Sequence, residues 1–124
     1  MHIMIVDDDD DIRSVLGLVL RSEGHQVEEA VDGIDALARL TAGSHPALIL
    51  LDMMMPRLDG EGFMNTLKRE HRNADASVFI LSGHDAARQR AVELGAAGCL
   101  VKPVELDDLL SVVERVAAKS KVPD

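Results

Sequence analysis

Three aspartates, a serine and a lysine carry the chemistry this sequence offers. Asp7-Asp8 follow the apolar run 2–6, Asp52 closes the apolar run 47–51, Ser82 closes 77–81 and Lys102 closes 99–101. Each stands where an apolar stretch of strand length stops and the chain turns. Grouped carboxylates repel one another unless a cation joins them, and hard oxygen donors suit Mg²⁺ or Mn²⁺. A carboxylate beside such an ion, with a lysine and a hydroxyl in reach of phosphoryl oxygens, is equipped to accept a phosphoryl group. Alone, Asp52 reads as an acid that marks the end of a strand. The elements around it decide otherwise.

The run 2–6 reads as a first strand. Ile12, Val15, Leu16, Val19 and Leu20 then recur at helical spacing, with a stop at Gly24. Residues 25–30 read as a weaker, more polar strand at a sheet edge. Ile34, Leu37, Ala38 and Leu40 mark one face of a second helix that ends near Gly43. The five apolar residues 47–51 suit a strand buried on both faces, and Asp59-Gly60 open a third helix that turns Phe63, Met64 and Leu67 inward. A fourth strand spans 77–81. A mostly polar helix covers about 85–94, with Ala91, Val92 and Leu94 as its main apolar residues and a stop at Gly95. A short fifth strand spans 99–101. The most regular amphipathic helix runs from 105 to about 119, with Leu106, Leu109, Leu110, Val113 and Val116 on its stripe and Lys119 and Lys121 near its carboxyl end.

Strands that alternate with helices predict an α/β, doubly wound, five-stranded parallel sheet with five helices and right-handed crossovers. In such a sheet all strands present their carboxyl ends on one edge, where ligands bind. Asp7, Asp8, Asp52, Ser82 and Lys102 are therefore expected to meet in one crevice. The 124 residues suit a single domain, 1–124, with about 120–124 as a tail or the start of a linker.

The chain is 47% hydrophobic but 2% aromatic, so its core must be aliphatic. The net charge of −9 and the lack of any Lys/Arg run argue against direct nucleic-acid binding and against an acidic membrane surface. A single cysteine, Cys99, excludes an internal disulfide and fits a reducing, cytoplasmic setting. No apolar run nears the ~20 residues that cross a bilayer, and the first residues do not form a secretory signal. The five histidines show no paired metal-ligand spacing, so zinc is not expected.

The motifs Ile5-Val6-Asp7-Asp8, Asp52-Met53-Met54-Met55-Pro56-Arg57-Leu58-Asp59-Gly60, Leu81-Ser82-Gly83 and Val101-Lys102-Pro103 stand in the right order, each at an expected strand end. With them the chain resembles, over essentially its whole length, the receiver domain of bacterial two-component response regulators. The resemblance implies a flavodoxin-like, CheY-like fold with strand order 2-1-3-4-5. It implies transfer of a phosphoryl group to Asp52 from a sensor histidine kinase or a histidine phosphotransfer protein. It further implies Mg²⁺ (or Mn²⁺) held directly by Asp8, Asp52 and the main-chain carbonyl of Met54, and through water by Asp7. Ser82 stands at the family's switch hydroxyl and Lys102 at its phosphate-pairing lysine, with a cis peptide before Pro103. The implied output is a protein partner on the face of the fourth helix, fifth strand and fifth helix. The domain would be a self-phosphorylating switch with intrinsic hydrolysis of its own phosphate, not an enzyme on a separate substrate.

Several residues have plainer readings. Asp9, Asp10 and Asp11 read as acids at a helix N-terminus, Asp59 as a cap and Met53, Met54 and Met55 as adaptable packing. Cys99 reads as a small core residue where many members of the family carry Tyr or Phe, so the aromatic readout of phosphorylation is not expected here. Gly60-Glu61-Gly62 does not follow a strand directly and lacks a third glycine, which argues against a dinucleotide site. An aspartate-nucleophile phosphatase of the haloacid-dehalogenase type needs a second acid two residues after the nucleophile, where Met54 stands. Two rivals remain: a receiver cut from a longer regulator with a DNA-binding or enzymatic output domain, and a phosphate-independent docking or dimerisation module. Met54 and His84 are expected to flank the water that hydrolyses the phosphate.

Overall fold

The computed structural model describes residues 1–70, 75–83 and 87–120. Strands β1 (His2–Val6), β2 (Gln26–Ala30), β3 (Leu48–Asp52), β4 (Ser77–Ser82) and β5 (Gly98–Val101) alternate with helices α1 (Asp10–Ser22), α2 (Gly33–Thr41), α3 (Gly60–Glu70), α4 (Ala87–Leu94) and α5 (Leu106–Ser120). The sheet is parallel throughout, in the order β2-β1-β3-β4-β5. This is the expected doubly wound architecture.

Side chains that alternate along each strand feed two separate cores. On one face Ile3, Ile5, Leu48, Leu50, Phe79, Leu81 and Leu100 pack against Leu16 and Leu20 of α1 and Leu109, Val112, Val113 and Val116 of α5. On the other, Met4, Val6, Ile49, Leu51, Val78 and Ile80 meet Ala36 and Leu40 of α2, Phe63, Met64 and Leu67 of α3, and Ala91 of α4. All five residues of β3 are buried, as its unbroken apolar run requires, and the polar β2 lies at the edge. Truncating a fully buried Ile49 or Leu50 to Ala would cost about 2–5 kcal/mol.

Some expected stripes are displaced. Val15, Ile34, Val92 and Leu106 face solvent, Val92 with 77% of its surface exposed, and Ala38 is exposed as well. A helix that lies on a sheet buries a stripe narrower than its full set of apolar residues. In α1 that stripe centres on Leu16 and Leu20, in α2 on Ala36 and Leu40, and in α4 on Ala91 and Leu94. The strand ends move by a single residue: β3 includes Asp52 as its last member and β5 begins at Gly98. Asp9 is the N-cap of α1, and its side chain accepts from the N–H groups of Asp11 (2.9 Å) and Ile12 (3.2 Å). Helices α1 and α4 stop as expected at Gly24 and Gly95, with φ of 91° and 77°, which glycine alone adopts freely. The expected start of α4 near 85, the side chain of His84, and Lys121 lie outside the described residues.

Candidate functional site

Strand register sets the geometry. Val6 pairs with Leu51, Asp52 with Leu81, and Ser82 with Val101, so the residues that end or follow these strands lie level along one edge of the sheet. Asp7, Asp8 and Asp52 each bring a carboxylate oxygen within 4.8 Å of the others. Asp7 is fully buried, Asp52 is 5% exposed, and Asp8 opens to solvent. The Lys102 ammonium lies between the two buried acids, 2.9 Å from Asp7 Oδ2 and 3.3 Å from Asp52 Oδ1. Main-chain amides orient both carboxylates: the Asp9 N–H donates to Asp7 Oδ1 at 2.9 Å and the Met54 N–H to Asp52 Oδ1 at 3.3 Å. Ser82 is buried at the end of β4, where its main-chain oxygen accepts from the Lys102 N–H at 2.9 Å. The Lys102–Pro103 bond is cis, as expected. Asp7, Asp8, Asp52 and Lys102 thus converge in one crevice, and Ser82 ends the neighbouring strand on the same edge.

The site's charge balance follows from this crowding. Burial, and then the negative charge of Asp7, push the Asp52 carboxyl up to about 6, against the opposing pull of Lys102 and the Met54 amide. Burial disfavours the Lys102 ammonium, but its hydrogen bond to Asp7 and the charges of Asp52 and Asp7 outweigh that and hold it above the ordinary lysine value. A cluster of oxygen donors, acidic in excess of its single lysine and open on the Asp8 side, fits a hard divalent cation.

Three supports were not read from the sequence. Gly60 crosses so close to β3 that a Cβ there would lie 2.8 Å from the Asp52 carbonyl oxygen, while its N–H donates to the Met53 oxygen at 3.2 Å. The buried Arg13 donates from Nη1 to the Asp7 carbonyl oxygen at 2.6 Å and pairs with Asp10. Asp32 of the β2–α2 turn pairs with Arg57 of the β3–α3 loop. Gly60 had a visible signal in the Asp-Gly pair, read only as a helix start. The other two depend on contacts remote in sequence. Asp59 caps α3 by accepting from the Gly62 N–H at 2.8 Å, its plainer reading. Met53 and Met55 pack against the second core, whereas Met54 is 73% exposed beside the acids.

The edge of the sheet beside β5 is also distinctive. A groove of about 460 Å³ runs between α4, β5 and α5, lined among others by Phe79, Val92, Cys99, Val101 and Arg115. Half-buried Cys99 stands here without an aromatic ring, and Gly98 lets the Phe79 ring lie against β5, where a Cβ would come within 2.7 Å of it.

Comparison with known proteins agrees with this geometry. The family model for the response regulator receiver domain matches residues 3–114. The CpxR homolog transcriptional regulatory protein of Haemophilus influenzae is 35% identical over 123 residues, which cover 98% of this chain and 52% of that protein. The DNA-binding dual master transcriptional regulator RpaA of Synechocystis is 33% identical, over 96% of this chain and 50% of its own length. Protein PilG of Pseudomonas aeruginosa is 34% identical, over 92% and 85%. Among solved structures, the receiver domain of Francisella response regulator 1452 superposes with a TM-score of 0.86 at 28% identity, covering 97% of this chain and 98% of that one. The chemotaxis protein CheY4 of Vibrio cholerae gives 0.83 at 29%, covering 93% and 97%. The chain spans about half the length of the first two of these relatives. No helix among the described residues is long and apolar enough to cross a membrane. A five-stranded sheet in this order, an acidic crevice at its carboxyl edge and a family match over most of its length make the chain a member of the response regulator receiver domain family.

Proposed function

We propose that the chain is a cytoplasmic phosphoryl-operated switch in which Asp52 is the acceptor. The observation that carries the reading is the convergence of Asp7, Asp8, Asp52 and Lys102 at one strand edge. An Asp52 oxygen attacks the phosphorus of a phosphohistidine on a sensor kinase or phosphotransfer protein. The new P–O bond forms as the P–N bond breaks, and the electron pair leaves with the histidine nitrogen, which takes up a proton. Asp8, Asp52 and the Met54 carbonyl would hold Mg²⁺ or Mn²⁺, with Asp7 acting through water, and that ion would supply charge neutralisation at the phosphoryl oxygens. Lys102 would exchange its contact with Asp52 for a phosphoryl oxygen, and Ser82 would donate its hydroxyl to another. Hydrolysis of the resulting acyl phosphate would reset the switch, with no separate substrate.

Incubation with acetyl phosphate and Mg²⁺, followed by mass measurement of the intact protein, tests the acceptor. Wild type should gain one phosphoryl group and Asp52→Asn none. Equal gain in both proteins would overturn the assignment.

The partner surface would be the groove of α4, β5 and α5, reached from Ser82 and Lys102 through the elements that follow them. A second reading concerns the output. Relatives about twice as long as the matched span are named transcriptional or DNA-binding regulators, which favours a DNA-binding segment elsewhere in a longer regulator. The charge of −9 argues against such a contact within these residues. The complete reading frame decides this.

A further inference from the structure

The β3–α3 loop, which carries Met54, is fastened to the β2–α2 turn by an ion pair that has a conformational cost. Arg57 has a φ of 66°, a left-handed conformation that arginine rarely adopts and glycine adopts freely. Its guanidinium is committed to Asp32, with Nε and Nη2 each 2.6 Å from Asp32 Oδ2. Asp32 is 3% exposed and caps α2, its other oxygen accepting from the Asp35 N–H at 2.9 Å. One residue further along each segment, the Gly33 N–H donates to the Leu58 carbonyl oxygen at 3.2 Å, an approach so close that a Cβ on Gly33 would lie 2.7 Å from that oxygen.

These contacts bear on the acceptor because the loop is short and closed. Its base is the bond from the Gly60 N–H to the Met53 oxygen, and its tip is held by Arg57 and Leu58. Within it the Met54 N–H orients Asp52 Oδ1. A backbone that departs from its favoured region and is held there by a buried charge marks a place where local strain serves geometry.

We propose that Arg57 is a positioning residue: its pairing with buried Asp32 latches the acceptor loop and so sets the affinity of the acidic crevice for a divalent cation. The inference rests on the proposed function for the identity of that crevice. It predicts that the latch acts as one unit, so loss of either partner removes the same benefit.

The experiment is Mn²⁺ binding, followed by electron paramagnetic resonance, to wild type, Arg57→Asn, Arg57→Lys, Asp32→Asn and the Arg57→Asn/Asp32→Asn double variant. Asparagine tolerates the left-handed backbone at 57, and at 32 it keeps the helix cap. The Mn²⁺ dissociation constant should rise about tenfold in Arg57→Asn, as for other groups that orient ligands from behind. Arg57→Lys should recover part of the loss, and the double variant should be no weaker than the weaker single. Urea unfolding of the same samples, with Arg57→Gly as a second test should Arg57→Asn not fold, separates the latch from general destabilisation. Unchanged Mn²⁺ affinity in the folded Arg57 variants, or additive losses in the double variant, would overturn the proposal. Wild type that binds Mn²⁺ but takes no phosphoryl group from acetyl phosphate would instead overturn the acceptor role of Asp52, while the affinity series would still judge the latch.

Discussion

At the scale of single residues, the site is a charge problem that the fold leaves unsolved. Asp7 and Asp52 are buried side by side, with one ammonium between them. Asp52 therefore titrates near 6 in the fold, above its ordinary value of 3.8. Between those values the folded chain binds a proton more tightly than the unfolded chain, so through this group stability falls as pH rises from about 4 to about 6. Metal-free Asp52→Asn should lack that slope and exceed wild type by about 3 kcal/mol near pH 7. Glu28 and Asp32, held below the ordinary carboxylate value, add an opposite slope common to both proteins. Urea unfolding in EDTA at pH 4.5 and 7 measures the difference, and parallel slopes would refute the account of Asp52. Met54 sets a second expectation. Exposed beside Asp52, the proposed acceptor, it presents a thioether where a polar side chain is expected to hold the attacking water. Met54→Asn should shorten the lifetime of phospho-Asp52 about threefold or more, read as loss of phosphoryl mass after donor removal with Mg²⁺ saturating. An unchanged or slower decay would make Met54 a bystander.

At the scale of elements, the strands do the positioning and the glycines allow close approach. Gly60→Ala would drive a Cβ into the main chain of Asp52 and Met53, at 2.8 and 2.9 Å, whereas nothing lies within 4 Å of a Cβ on Gly83. Gly60→Ala should therefore cost about 1–3 kcal/mol in urea unfolding and slow phosphoryl acceptance, while Gly83→Ala should stay within about 0.5 kcal/mol of wild type. Equal effects at the two sites would contradict this reading of the crossing. The same contrast explains what was legible in the sequence. Apolar runs that stop on Asp7, Asp52, Ser82 and Lys102 announce buried parallel strands and their carboxyl edge, because burial on both faces forces an unbroken run. Helix stripes were less legible: Val15, Ile34, Val92 and Leu106 are apolar and regularly spaced, yet which residues touch the sheet depends on how each helix rolls on it. Arg13 and the Asp32–Arg57 pair were not legible at all, since an arginine's partner is fixed by tertiary geometry and not by spacing.

At the scale of the whole molecule, α4 follows Ser82 and α5 follows Lys102 along the chain, and both helices line the groove beside β5. Helix α4 is the weakest link: eight residues, Val92 in solvent, and ion pairs from Arg90 to Glu61 and Glu93 on exposed side chains. With Cys99 in place of a ring, displacement of α4 and its connection is the expected route of output. Compared with Mg²⁺ alone, a beryllofluoride mimic of the phosphoryl group added with Mg²⁺ should change hydrogen exchange from Ser82 through α4 and into α5, and leave β2 and α2 unchanged. Change confined to other segments would move the output face. The most direct test of the central claim is to locate the phosphoryl group itself. The protein is phosphorylated with acetyl phosphate in Mg²⁺ or in EDTA, reduced with borohydride to convert an aspartyl phosphate to homoserine, and mapped by peptide mass spectrometry. The account predicts homoserine at position 52, dependent on Mg²⁺. Homoserine at Asp7, Asp8 or any other aspartate, or equal labelling of Asp52 in EDTA, would contradict it.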